Sequence, residues 1–304
     1  MQESKLKHYL HLHFIVFIWG FTAILGALIS IDAIPLVWYR MLLATLFIGI
    51  YFLIKRKSLY IDKKLALKFF LSGIIIALHW ITFFKAIKVS NVSVALVTMS
   101  TGALFASLIE PLFFKRRIRA IEIFLGLIVV GGLYIIFSFE SQYTLGIVYA
   151  LISAFLSALF AVINALYVKK HKADVISFYQ LLFGVVFITI FLLIQGSFTV
   201  EFFTLKGTDW LYLLILSSIC TAYAFIVSVD VMKYLTPYTV MLTINLEPVY
   251  AIILALMVFG EKEKMNSEFY LGAFIILFVV LLNGFLKNRK GIAKKVKNLQ
   301  RSKK

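Results

Sequence analysis

The chain has 304 residues, of which 62% are hydrophobic types and only 15% charged, and its formal net charge is +17. A water-soluble domain carries about one quarter charged residues, so this composition excludes a soluble enzyme, a disordered chain and a secreted disulfide module. One cysteine, Cys220, leaves nothing for an internal disulfide and reads as a small apolar residue. What remains is a polytopic membrane protein.

A transmembrane helix needs about 20 mostly apolar residues. Read in chain order, the sequence predicts ten: 12–31, 33–54, 67–87, 92–114, 120–139, 145–168, 175–195, 209–232, 237–259 and 268–286. Strict two-residue alternation is absent, which argues for helices over a barrel. Asn91 and Thr236-Pro237 are the break signals at the two closest joints. The first run reads through without an A-x-A-like cleavage site, so it is a span and not a cleaved leader.

Basic residues set the orientation. With the N-terminus in the cytoplasm, 25 of the 31 Lys and Arg fall inside, four outside and two, Arg40 and Lys85, within spans. Both termini are then cytoplasmic, and the expected place is a bacterial inner membrane. The run Lys287–Lys304 holds nine basic residues. It reads as a topology signal and a surface for anionic lipid rather than for nucleic acid.

Helix one carries Trp19, and His8, His11 and His13 stand at its inner end. His11 and His13 face different sides of a helix, so no metal site is expected. Arg40 lies about seven residues into helix two, roughly 10 Å deep. It could hold a substrate carboxylate, pair with an acid or snorkel outward. Helix three places His79-Trp80 at mid-membrane, where an imidazole is a titratable group in hydrocarbon. With Tyr179, Tyr223 and Tyr250 these aromatics could line a cavity suited to cations and flat apolar solutes, or could pack as ordinary core. Helix six has a small-residue face, including Ser157, and one amide, Asn164. Ser100 and Asn245 are polar positions in helices four and nine. Glu247 is read near the middle of helix nine, where a carboxylate could bind an ammonium or a proton. Pro248 frees a carbonyl one turn back. Lys85 and Asp230, each near a helix end, read as snorkelling groups or gate charges.

The two halves resemble each other weakly. Trp38-Tyr39-Arg40 lies over Phe178-Tyr179-Gln180 at an offset of 140. Further on the offset is 145, with Lys85 over Asp230, Thr98 over Thr243 and Ser100 over Asn245. Five helices is an odd number, so the second repeat must enter the membrane inverted. The expected segments are a cytoplasmic stretch 1–11, a first repeat 12–139, a second repeat 145–286 and a basic tail 287–304.

Trp19-Gly20, Arg40, Glu247-Pro248, Phe259-Gly260-Glu261 and Gly272 together resemble the drug/metabolite transporter superfamily in its ten-helix, EamA-type branch. The first half departs from the pattern: Gly102-Ala103 stands where the second has Glu247-Pro248. The resemblance implies a secondary transporter, often an exporter of small metabolites such as amino acids, with alternating access around a central cavity and no cofactor. Proton coupling through Glu247 or His79 is an expectation on that reading. The alternatives are an integral membrane enzyme acting on a lipid-type substrate, a scaffold subunit, or a passive channel. No ATP-binding, metalloprotease or nucleophile-elbow motif is present. The oligomeric state is left open, since small-residue faces permit a dimer without requiring one.

Overall fold

A computed structural model describes residues 2–115, 117, 120–279, 281 and 282, with the side chains of 2–6 and 122 outside that description. The described chain is helical throughout. The helices are α1 (Gln2–Leu28), α2 (Ala33–Ile54), α3 (Lys63–Val89), α4 (Val92–Met99), α5 (Gly102–Phe114), α6 (Ala120–Phe139) and α7 (Thr144–Tyr167). They continue with α8 (Ala173–Ile194), a short α9 (Val200–Phe203), α10 (Gly207–Ser217), a π-helical stretch Ser218–Tyr223, α11 (Ala224–Val231), α12 (Pro237–Ile244), α13 (Glu247–Phe259) and α14 (Ser267–Val279). Eight stretches among the described residues are long and apolar enough to cross a membrane, and two shorter apolar helices, Ile123–Phe139 and Ser267–Val279, stand beside them. Large apolar side chains such as Leu53, Ile54 and Leu127 face outward, as lipid rather than water requires.

The starts follow local chemistry. Asp62 accepts from Leu65 N at the head of α3, Asn91 from Val94 N at the head of α4, and Thr236 from Thr239 N ahead of Pro237. Each is a side-chain oxygen meeting an orphan backbone N–H. The N-terminal residues 2–11, expected to precede the first helix, are its opening turns.

Three predicted continuous helices are interrupted. The span 92–114 breaks at Ser100–Thr101 and the span 237–259 breaks at Asn245–Leu246. Both tighten to three-residue bonds at the break: Thr101 N to Thr98 O at 3.1 Å, and Leu246 N to Thr243 O at 3.0 Å. Hydroxyls contribute at the first break, where Ser100 Oγ bonds Leu96 O and Thr101 Oγ1 bonds Thr98 O. Glu247 is therefore not mid-helix. It opens α13 with Pro248 behind it, where a missing N–H costs nothing and a carboxylate favours the helix dipole. The third interruption is the π stretch inside the expected helix 209–232. The breaks lie 145 residues apart, α4 and α5 matching α12 and α13 in length, and α2 and α8 are both 22 residues at an offset of 140.

Charge divides the two ends of the bundle. One end, called here the basic end, carries Lys55–Lys57, Lys63, Lys64, Lys169–Lys172 and Lys233. The opposite end mixes signs, holding Asp32, Glu140, Asp209, Glu261 and Glu263 with Lys88, Lys206, Lys262 and Lys264. Arg116, Arg119 and the tail 287–304 lie outside the described residues.

Candidate functional site

A cavity opens among α1, α2, α3, α7, the π stretch, α11 and the two helix breaks. Of the residues singled out in the sequence it brings together Trp19, Arg40, His79, Trp80, Ser100, Ser157, Asn245, Glu247 and Pro248. The breaks matter here. A regular helix spends its backbone on itself, whereas the breaks at Ser100 and Asn245 present polar side chains to the cavity from the bundle's middle.

Arg40 is the central charge, and it does not snorkel: the side chain is 2% exposed. Its guanidinium carbon sits 4.0 Å over the Trp80 ring and 5.4 Å from Phe84. Its Nε–H donates to Thr221 Oγ1 at 2.6 Å, while its Nη1 has no hydrogen-bond partner. Thr221 Oγ1 in turn donates to Leu216 O, also at 2.6 Å. The π stretch makes this possible, because its wider turn presents Thr221 to α2. Among the described residues no carboxylate lies within ion-pair distance of Arg40, although Glu247 lines the same cavity. Asn245 Nδ2 is a second buried donor without a partner. A buried cation with an unpartnered donor, on the same cavity as an unpartnered amide donor, has the chemistry to take an anionic group such as a carboxylate.

Trp19 is anchored by its indole N–H to Cys220 O at 3.2 Å. His79 Nδ1 lies 3.0 Å from Ser153 O and 2.8 Å from Ser153 Oγ, and Ser153 Oγ donates to His79 O at 2.9 Å. This exchange ties α3 to α7. With Nδ1–H given to Ser153 O, Nε2 is left as an acceptor.

Other predicted residues lie elsewhere. Asn164 accepts from Gln180 Nε2 at 2.8 Å in a buried amide cluster with Ser72, away from the cavity lining. Tyr179 gives its hydroxyl to Leu59 O among Phe69 and Phe183. Tyr223 is 44% exposed on the outer face of the π stretch, and Tyr250 packs against Gly20 and Phe17. Lys85 and Asp230 do not meet. They sit towards opposite ends of the bundle, and Asp230 pairs with Lys233 at 2.5 Å. Sequence reasoning missed Thr221, the residue that holds Arg40. Among the described residues no cluster of His, Cys, Asp and Glu could hold a metal ion.

The cavity is closed asymmetrically. At the opposite end Asp209, 1% exposed, accepts from Ser30 N at 2.8 Å and Ser30 Oγ at 2.6 Å. Glu263 accepts from Val92 N and Ser93 N at 2.9 Å and from Ser93 Oγ at 2.8 Å, joining the segment after α13 to the head of α4. Lys88 reaches Ile29 O, and Phe84 packs on Gly26 so closely that no Cβ would fit there. Towards the basic end the lining runs out to Met232 and Val240, near Lys233 and the cap Thr236. At that end Lys57 bonds Asp174 at 2.5 Å and Tyr51 OH at 2.8 Å, and these hold its ammonium above the ordinary lysine range.

The sequence profile of the EamA-like transporter family matches twice, at residues 7–138 and 144–285. An uncharacterized transporter of Clostridium kluyveri is 24% identical over 221 residues, covering 70% of each chain. An uncharacterized transporter of Bacillus subtilis, YxxF, is 22% identical over 244 residues, covering 78% of this chain and 76% of the relative. A solved structure titled only as a crystal structure of a protein superposes with a TM-score of 0.67 at 14% identity, over 93% of this chain and 98% of the other. At that identity the likeness speaks to the fold alone.

Proposed function

The chain belongs to the EamA-like transporter family, and on that premise we propose that the cavity is the substrate site of a secondary transporter exporting small metabolites such as amino acids. The observation that carries this is Arg40: a buried guanidinium on the cavity wall, held by Thr221 and Trp80, with Nη1 lacking a hydrogen-bond partner. A substrate carboxylate completes that donor. Glu247, lining the same space, faces the ammonium of a zwitterion or takes a proton in the substrate's absence. Trp19, Trp80 and Phe160 give the walls an apolar, aromatic character suited to a side chain of the same kind.

The mechanism we favour is alternating access between two inverted five-helix repeats, within ten crossings. The double family match, the shared helix lengths and the paired breaks support it. Each break is a hinge where a half-helix can tilt without unwinding its partner half. In the conformation described here the end at Asp209 and Glu263 is latched and the lining extends to the basic end. We assign the basic end to the cytoplasm of a bacterial inner membrane by the excess of Lys and Arg there. The state is then an inward-facing one, ready to load solute for export.

The test is counterflow. Proteoliposomes loaded with mixed amino acids should take up a labelled amino acid faster than empty ones. Uptake without stimulation by internal solute would indicate a passive channel. Inactivity of a folded preparation toward every amino acid would remove that substrate class.

A further inference from the structure

A second cleft opens on the side of the bundle near the basic end, between α2, the start of α8, the π stretch and α11. Its walls are apolar: Phe47 and Ile48 on one side, Ala222, Ile226 and Val227 on the other. Around it α2 turns apolar residues outward, with Leu46 and Ile50 each 52% exposed, so the cleft opens where acyl chains lie. Its rim is charged. Lys172 and Lys233 line it with Asp174 and Asp230, and Lys57 bonds Asp174 from the neighbouring loop.

The balance of that rim points to the occupant. Three ammonium groups meet two carboxylates. Each carboxylate already has its own lysine, Lys57 for Asp174 and Lys233 for Asp230, both at 2.5 Å. Lys172 is left, exposed and without a side-chain partner among the described residues. One uncompensated positive charge above an apolar trough matches one phosphodiester above two acyl chains. Basic pockets between spans at headgroup level take anionic lipid in this way.

We propose that this cleft binds an anionic glycerophospholipid, its phosphate on Lys172 and Lys233 and its chains along Phe47, Ile226 and Val227. The site is separate from the transport cavity and stands whether or not that cavity carries solute. Yet the two share a wall. Ser218, Ala222 and Tyr223 of the π stretch face the cleft, while Cys220 lines the cavity and Thr221 holds Arg40 from the same turn. A lipid in the cleft therefore braces the segment on which Arg40 depends.

The full chain is reconstituted with phosphatidylglycerol or phosphatidylcholine carrying a photoreactive acyl group, and the adducts are mapped by mass spectrometry. The expected result is phosphatidylglycerol labelling on Phe47–Tyr51 or Ala222–Val227 in clear excess over phosphatidylcholine. That labelling should fall about fivefold for each lysine removed in Lys172→Gln and Lys172→Gln/Lys233→Gln. Lys172→Gln touches no ion pair, so it serves if the double variant folds poorly. Neutralising the basic residues of 287–304 should leave these adducts unchanged. Equal labelling by the two lipids, insensitivity to Lys172→Gln, or adducts confined to other helices would overturn the assignment. So would displacement by inorganic phosphate, which would make this a free-anion site.

Discussion

Thr221 accepts the Arg40 Nε–H at 2.6 Å and donates its own hydroxyl hydrogen bond to Leu216 O at the same distance. The arginine from α2 is thus held by a residue 181 positions away, through a turn that is π-helical rather than α-helical. Such turns recur at functional sites because they aim a side chain that a regular helix would turn elsewhere. Thr221→Val keeps the shape and leaves a charged donor unpaired, a loss of about 1.5–3 kcal/mol. Counterflow should need at least about tenfold more substrate for half-saturation. Thr221→Ser should restore it. Arg40→Gln should abolish stimulation by carboxylate-bearing solutes, and Arg40→Lys should recover little of it. A lysine ammonium cannot both stack on Trp80 and reach Thr221. Wild-type affinity in Thr221→Val would mean the contact does not position the guanidinium.

Glu247 supplies the next test. It opens α13 with its side chain on the cavity. If the carboxylate exchanges a proton during the cycle, Glu247→Gln should still exchange labelled for unlabelled solute across the membrane. The same variant should lose acceleration by an imposed pH gradient. A gradient response equal to that of wild type would remove Glu247 from proton coupling.

Much of this arrangement could be read in the sequence, and the parts that could not share a physical cause. Helix boundaries at Asn91 and Thr236-Pro237 were legible because capping is local chemistry, one side-chain oxygen meeting one backbone N–H three residues on. Arg40, His79-Trp80 and Glu247 were legible because charge and imidazole in an apolar run require a cavity or a partner. The break at Ser100–Thr101 was not, since no glycine or proline marks it before Gly102 and a hydroxyl bonding back up its helix looks like any other serine. Tyr179 and Tyr223 were placed in the cavity and lie outside it. These helices are apolar on every face, so periodicity gives no sign of which side meets lipid and which meets a neighbour. Thr221 was invisible for the same reason, compounded by a π turn that shifts the register of everything around it.

Glu263 offers a test of how the latched end closes. The carboxylate is 4% exposed and is shared between two backbone N–H groups and a hydroxyl at the head of α4. Glu263→Ala leaves Val92 N–H and Ser93 N–H without these partners, at about 1–3 kcal/mol each. Cys220 lines the cavity and is the chain's single thiol, so its labelling reports access without an added reporter. A membrane-impermeant maleimide applied from the Glu263 side should modify Cys220 at least about tenfold faster in Glu263→Ala than in wild type. Labelling from the basic end should change little. Equal rates from the Glu263 side in both proteins would show that this carboxylate caps a helix without latching the cavity.

Gly26 and Phe84 make the apolar half of the same closure. A Cβ built on Gly26 would stand 2.1 Å from Phe84 Cε1, and Phe84 is wholly buried, with no room to withdraw. Gly26→Ala therefore forces α1 away from α3 at the latched end. Overpacking of this kind costs about 1–3 kcal/mol. The cost falls on the closed arrangement alone if the two helices part when that end opens. Gly26→Ala should then raise Cys220 labelling from the Glu263 side and slow counterflow, with little effect on labelling from the basic end. Phe84→Leu in the same chain removes the colliding ring atoms and should return Cys220 labelling toward wild type; counterflow is not the rescue readout, because Phe84 also faces the Arg40 guanidinium. A double variant no better than Gly26→Ala would place the strain elsewhere than in this contact. Rescue would identify a glycine and a phenylalanine, 58 residues apart, as the packed seam on which closure of that end depends.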